Sequence, residues 1–459
     1  MDLKGKKVLV VGLGKSGLAA ALFLRRQGAH VTVSDVRSAE ALAKELPALL
    51  EEGIAVEAGG HGMLTFRRQD LIVVSPGVPL DTPELTQVRN FGLPVIGELE
   101  LASRYLKGKT LAITGSNGKT TTTSLCGEIL KAAGFATEVG GNIGVPVIGL
   151  VEQSRPDGWT VLEVSSFQLE STEQFHPEIA VILNITPDHL DRHGTFENYA
   201  LAKERIFLSQ TSADSLVLNA DDPRTVETAS RTRAQVFWFS RNKPVEMGAY
   251  VDGGNIVFRK AKNDAPEILL PLSEIALKGA HNIENVLAAV CTTRLAGASP
   301  LAIRSAIADF KAVEHRLEFV AKINGVDYYN DSKATNVDAT TKAIESFAGN
   351  IHLILGGKDK NSDYTQLSQL LRQRVKAVYT IGSAAEKIEL HLRGTVPIIS
   401  AFTLQQAVTR AAEASIPGDI VLLAPACSSF DQFDNYEHRG RVFKDIVMER
   451  RGLGIWQSA

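Results

Sequence analysis

The chain of 459 residues contains three cysteines, Cys126, Cys291 and Cys427, and no two of them stand at C-x-x-C spacing. Such scarcity excludes a disulfide framework and fits a reduced, cytoplasmic protein. No apolar run approaches the roughly 18 residues that a membrane span needs. The charged start, Met1–Leu9, runs straight into a strand-like segment and does not read as a signal peptide. A basic surplus is missing too, since 49 Lys+Arg stand against 52 Asp+Glu for a net charge of −3. A general nucleic-acid binder needs far more positive charge than that. Low-complexity tracts, coiled-coil heptads and short tandem repeats are also absent. Neither nucleic acid nor membrane is therefore expected as a partner.

What is present is an ordinary globular mixture, 44% hydrophobic and 22% charged. At roughly 150 residues per domain it suggests about three domains. Strand-like runs at 7–11, 30–34 and 71–75 alternate with a helix-like stretch at 16–27, the pattern of a doubly wound parallel sheet. The pattern pauses around 92–97. A second α/β unit opens at 110–114, with a helix that Gly134 should stop and further strands at 160–164 and 179–185. Asp252-Gly253-Gly254-Asn255 and Asn324-Gly325 each predict a hairpin. Helices are expected at 282–295 and 301–309, and further strands at 351–355, 377–381 and 420–423. The fold class expected is α/β with three consecutive domains. These are a Rossmann-like N-terminal domain (1–97), a central P-loop ATPase-like domain (98–312) and a Rossmann-like C-terminal domain (313–459).

Two glycine turns carry chemistry. Gly12-Leu13-Gly14-Lys15-Ser16-Gly17 follows a strand and opens a helix, and Asp35 closes the next strand. Such a turn brings phosphates to a helix amino terminus. It serves a nicotinamide dinucleotide, another nucleotide diphosphate, or merely the packing of helix on sheet. The second turn is Gly115-Ser116-Asn117-Gly118-Lys119-Thr120-Thr121, with Ile113 where the full phosphate-loop pattern has its first glycine. Its backbone N–H groups can cradle phosphates, Lys119 can reach the terminal phosphates and the Thr120 hydroxyl can ligate Mg²⁺, so an ATP or GTP site is expected.

Such a loop needs a carboxylate for the metal, and Glu163 is the charge inside an otherwise apolar strand. The alternative is a strand-end acid facing solvent. Asp188-His189-Leu190-Asp191-Arg192-His193 reads as a polar loop, a zinc site or a second magnesium position. Zinc is disfavoured because no cysteine or further histidine stands nearby at ligand spacing.

These segments together resemble the Mur ligase family, and within it the D-glutamate-adding branch. The resemblance rests on 114–123, 162–170, 184–192, Gly279–Asn285, His315-Arg316-Leu317-Glu318, Asn330-Asp331-Ser332-Lys333-Ala334-Thr335-Asn336, Gly356-Gly357-x-x-Lys360 and Pro425–Phe433. It implies ATP-dependent ligation of D-glutamate to UDP-N-acetylmuramoyl-L-alanine through an acyl phosphate and a tetrahedral intermediate, in peptidoglycan synthesis. The first domain would then hold UDP rather than NAD, with Lys15, Ser16, Asp35, Val36 and Arg37 at the uridine and Ser75 and Gly77 at the diphosphate.

The resemblance further implies that Gly115, Ser116, Asn117, Gly118, Lys119, Thr120, Thr121, Asn282, Arg316 and Asp331 bind ATP. Lys119, Asn142, His189 and Lys203 would be catalytic. Two Mg²⁺ ions would be held by Thr120, Glu163, His189 and a carbamylated Lys203. Lys333, Thr335, Lys360, Ser429 and Tyr436 would bind D-glutamate, Tyr436 standing where the family has a phenylalanine. A monomer with a hinge near 310–314 is expected. The rival readings are a ligase adding another amino acid, a folylpolyglutamate synthetase, an NAD-dependent dehydrogenase and a nucleotide-switched binding module.

Overall fold

The computed structural model describes residues 1–277, 279–310 and 314–456, with side chains to 451. Among these residues the strands form three sheets. The first contains β1 (Lys7–Val11), β2 (His30–Asp35), β3 (Ala55–Ala58), β4 (Leu71–Val74) and β5 (Val95–Gly97), all parallel, in the order β3-β2-β1-β4-β5. Val8–Val11 and Leu71–Val74 are buried throughout, as unbroken apolar runs must be when helices cover both faces. The strand order reverses between β1 and β4, the crevice where doubly wound sheets take ligands. The pause at 92–97 conceals β5, whose three residues are too few to show a period.

The second sheet contains β6 (Lys109–Thr114), β7 (Thr137–Gly141), β8 (Trp159–Glu163), β9 (Ile179–Ile182), β10 (Ser215–Asn219), β11 (Gln235–Ser240), β12 (Gly248–Asp252), β13 (Asn255–Arg259) and β14 (Glu267–Pro271). Its order is β14-β13-β12-β11-β10-β9-β6-β8-β7. The pairs from β7 to β12 are parallel, and β13 and β14 add an antiparallel edge. Gly253 and Gly254 both take positive φ in the predicted hairpin between β12 and β13, as a tight turn of that hand requires.

The apolar run at 179–185 overstates β9, which ends at Ile182. Beyond it Asn184 turns its side chain onto the Asn117 backbone, accepting from its N–H at 2.8 Å and donating to its carbonyl at 3.1 Å. Ile185 N–H is taken by Asp222 Oδ2 at 3.0 Å. Leu183 N–H still bonds Thr114 O and Asn184 O still accepts Ser116 N–H, both at 3.0 Å, so these side-chain partners supplement a backbone pairing that runs just past the strand.

The third sheet contains β15 (Glu318–Ile323), β16 (Val326–Asn330), β17 (Ile351–Gly356), β18 (Val375–Ile381), β19 (Ile398–Phe402) and β20 (Ile420–Leu423), in the order β15-β16-β20-β17-β18-β19. Asn324 and Gly325 turn the antiparallel β15/β16 hairpin with positive φ, and the other pairs are parallel. One core lies under this sheet around Leu353, Leu355, Tyr364 and Leu371. A second surrounds Ile354, Tyr379, Leu423 and Phe443.

By contacts the chain divides into two compact units. One comprises 1–185, 197–274 and 284–310; the other comprises 186–196, 275–283 and the residues from 311 onward. The expected boundary at 312 and the core of the expected hinge, 311–313, lie outside the described residues. Among the described residues no helix is long and apolar enough to cross a membrane.

Candidate active site

In the first unit, the turn after β1 is closed by chemistry at β2. Asp35 is buried, and its Oδ2 accepts the Leu13 N–H at 2.7 Å. Its Oδ1 accepts the Arg37 N–H at 2.8 Å and Nε at 3.1 Å, while Arg37 also donates to the Leu13 carbonyl at 2.8 Å. Burial works to raise the Asp35 pKa, but these hydrogen bonds outweigh it and hold the carboxyl below its usual range. Asp35 and Arg37 therefore shape the turn. Gly17 is there for space, because a Cβ would lie 1.9 Å from the Gly12 carbonyl oxygen. Ser75 ties β4 to the same turn by donating to Gly12 O at 2.6 Å. Lys15, Val36 and Gly77 are exposed around it and Ser16 is half-buried.

The phosphate loop joins β6 to the helix Lys119–Ala132. Gly118 caps that helix with φ 86°, where a Cβ would meet Asn285 Oδ1 at 2.2 Å. A glycine cap brings no side-chain acceptor to the helix amino terminus, which suits an anionic ligand. The loop residues Ser116 and Asn117 are buried, as are Thr120 and Thr121 at the helix start.

Lys119 Nζ folds back onto the carbonyls of Gly115 (2.8 Å) and Ser116 (2.9 Å). Lys203, on the helix Phe196–Glu204, is 1% exposed, and its Nζ donates to the same Gly115 carbonyl at 2.8 Å. The Lys203 ammonium also lies 4.6 Å from the centre of the Tyr199 ring, and Tyr199 OH pairs with Ser116 Oγ at 3.1 Å. Two lysines thus converge on one carbonyl oxygen.

Glu163 ends β8 at 1% exposure. Its Oε2 accepts the Thr120 hydroxyl at 2.7 Å and its Oε1 the Asn142 amide at 2.9 Å. The solvent-facing alternative for Glu163 is excluded. This acid-and-hydroxyl pair is an oxygen donor set of the kind Mg²⁺ takes.

In the second unit, Asp188 accepts Lys360 Nζ at 3.1 Å and Asn336 Nδ2 at 2.9 Å. Burial would raise its pKa, but Lys360, His189 and Asn336 more than reverse this and hold it far below the usual carboxylate range. His189, half-buried, follows with φ 54°. Asn282 lies at the start of the helix Ala280–Ala296, in a segment belonging to this unit.

Asp331 is buried, and burial pushes its carboxyl up to about 6 despite the Arg316 charge. Neither its Oδ1 nor Arg316 Nε has a hydrogen-bond partner among the described residues. Lys333 Nζ stands 4.8 Å from the centre of the Tyr436 ring, so that ring faces a cation. Ser429 is buried and Thr335 half-buried.

Sequence reasoning missed the residue that organises this end. Arg439 is fully buried, and burial lowers it to about 10. It donates to Ser332 Oγ (3.0 Å), Ser332 O (2.8 Å) and Cys427 O (3.1 Å). It thereby clamps the segment bearing Lys333 and Thr335 to the one bearing Ser429. The available signal was an arginine three residues past Tyr436, in a helix that the motif count stopped short of. A group of possible metal ligands, Glu314, His315 and Glu318, is also present, but Lys444 Nζ pairs with both acids there.

Comparison with known proteins covers most of the chain. Residues 6–97 match the family model "Mur ligase MurD-like, N-terminal domain", residues 113–293 "Mur ligase middle domain" and residues 315–427 "Mur ligase, glutamate ligase domain". A protein of Acidobacterium capsulatum named UDP-N-acetylmuramoylalanine--D-glutamate ligase is 72% identical over 459 residues, all of both chains. One of the same name from Koribacter versatilis is 60% identical over 447 residues, covering 97% of this chain and 98% of its own. Among solved structures, the UDP-N-acetylmuramate-alanine ligase of Thermotoga maritima aligns with a TM-score of 0.60 at 20% identity. It covers 97% of this chain and 100% of its own, a likeness of fold.

Proposed function

The chain belongs to the Mur ligase family, and from that premise we propose that it joins D-glutamate to UDP-N-acetylmuramoyl-L-alanine at the expense of ATP, a step of peptidoglycan synthesis. What carries this reading is the 72% identity, end to end, with a ligase of that name. The dehydrogenase and binding-module readings do not account for such likeness along the whole chain.

A carboxylate is a poor acyl donor, so the L-alanine carboxylate first takes the γ-phosphoryl group of ATP. The D-glutamate amine then attacks the acyl phosphate, and the tetrahedral intermediate releases phosphate. Bringing two anions together is the electrostatic difficulty of the first step. Lys119, hinged over the loop by Gly115 and Ser116, is set to swing onto the terminal phosphates. Thr120 and Glu163 would hold Mg²⁺, which when bound supplies further positive charge at the phosphoryl oxygens.

Lys203 is proposed to be carbamylated. Carbon dioxide adding to its neutral amine forms an N–C bond and releases a proton, turning a cation into a carboxylate-like magnesium ligand. That exchange also removes the repulsion between the two lysines at Gly115. Asn142 is proposed to orient the reacting groups beside Glu163, and His189 to serve as a metal ligand. In the second unit, Lys333, Thr335, Lys360, Ser429 and the Tyr436 segment are proposed to receive the two carboxylates of D-glutamate. Asn282, Arg316 and Asp331 are proposed for the adenosine part of ATP. In the first unit, Lys15, Ser16, Asp35, Val36, Arg37, Ser75 and Gly77 are proposed to hold UDP. We further propose a cytoplasmic monomer.

Phosphate release measured with UDP-N-acetylmuramoyl-L-alanine and ATP tests this reading. D-glutamate should support turnover and L-glutamate should not. No D-glutamate-dependent release would refute it.

A further inference from the structure

Immediately after β5 the helix Glu98–Ser103 begins, with two fully buried acids in its first turn. Glu100 Oε2 accepts three consecutive backbone N–H groups, of Glu173 (2.8 Å), Gln174 (3.0 Å) and Phe175 (3.1 Å), and its Oε1 holds Arg104. Gly97 N–H adds a bond to Ser171 O at 3.1 Å. The helix is thereby fixed to the segment that follows β8.

From that anchored position Glu98, 1% exposed, reaches the other way. Its Oε1 accepts the Ile148 N–H at 2.7 Å, in the short helix Val147–Leu150. The loop between that helix and β7 has no slack. Gly141 N–H bonds Val145 O at 2.8 Å, and a Cβ on Gly140 would lie 2.5 Å from the same carbonyl. Asn142 stands in this loop, bound to Glu163 through its backbone N–H (2.9 Å) and its side chain (2.9 Å). The same short helix packs against the helix Lys15–Arg26, which starts at the first glycine turn.

We propose that Glu98 is a positioning residue for phosphoryl transfer, holding the Val147–Leu150 helix so that Asn142 stays registered on Glu163. The proposal rests on the ligase reading above. It differs from a merely structural role in that its effect must pass through Asn142.

The test is a double-mutant cycle in the full chain. Glu98→Ala should lower kcat for phosphate release about tenfold, because small misplacements of reacting groups are amplified in rate. KM for D-glutamate should stay unchanged. Glu98→Gln retains an acceptor for the Ile148 N–H and should recover most of the lost kcat. In an Asn142→Ala background the further loss on Glu98→Ala should largely vanish. A folded Glu98→Ala enzyme with wild-type kcat, a Gln variant no better than Ala, or a full loss persisting without Asn142 would each overturn the proposal. Unfolding midpoints of the same four proteins read the coupling without any turnover. Non-additive midpoints support the proposal and strictly additive ones overturn it. A wild-type chain that releases no phosphate would sink the ligase reading instead.

Discussion

Replacing Glu98 by glutamine should change how stability depends on pH, and the size of the effect follows from the burial of this carboxyl. Burial raises it from the ordinary 4.5 to about 7, against a smaller opposite pull from the Ile148 N–H, with no charged neighbour contributing. In the unfolded chain the group loses its proton near 4.5; in the folded chain it keeps it until about 7. The stabilisation tied to the protonated form is therefore complete below pH 4.5 and is lost as pH rises through 7. At about 1.4 kcal/mol per pH unit, the loss amounts to about 3 kcal/mol.

Glutamine is neutral at every pH and keeps the acceptor for Ile148. Relative to wild type, the variant should be near parity at pH 4 and more stable by about 3 kcal/mol at pH 8. Urea unfolding followed by tryptophan fluorescence measures this, since Trp159 and Trp238 lie on β8 and β11 of the first unit. A difference that stays constant from pH 5 to 8, or a wild type that gains on the variant as pH rises, would refute the reasoning.

Other substitutions bear on the remaining sites. Arg439→Met strands the Ser332 and Cys427 carbonyls, so it should cost about 1–3 kcal/mol of unfolding free energy for each and raise KM for D-glutamate while sparing that for ATP. Lys119→Ala should abolish phosphate release without lowering the melting temperature. Lys203→Arg, which cannot take up carbon dioxide stably, should lose turnover, and intact-protein mass spectrometry in bicarbonate should show the added mass on wild type alone. Gly17→Ala should destabilise by about 2 kcal/mol or more in thermal melts, because its Cβ would meet the Gly12 carbonyl; an unchanged melting temperature would contradict the close approach of helix and strand.

The phosphate loop was legible because its chemistry is contiguous, with glycines, lysine and threonine that all act within a few residues of one another. Glu163 could be read because a lone charge in an apolar strand demands a partner, and the structure supplies Thr120 and Asn142. Asp188 gave no sign of holding Lys360, which lies 172 residues away, nor Arg439 of holding Ser332 across 107. Pairings at such separations leave no local spacing to read. Lys203 looked like any lysine on a helix, and what sets it apart, its burial and its bond to the Gly115 carbonyl, appears only in the fold. The excess length given to β9 came from trusting apolar character as far as Ile185, whose N–H goes to the Asp222 carboxylate instead of a strand neighbour. Tyr436 offered a ring in sequence, and the structure gives that ring a cation, Lys333.

The make-up of the second compact unit bears on how genes of this kind can be recombined. Because 186–196 and 275–283 belong with the residues beyond 311, a crossover at about residue 315 would not exchange a self-sufficient module. It would import a foreign Lys360 and Asn336 to meet a resident Asp188, and a foreign Arg316 to meet a resident His281 whose pKa it helps depress. Viable chimeras should therefore be those whose parents agree in these two inserted segments, whatever their identity elsewhere.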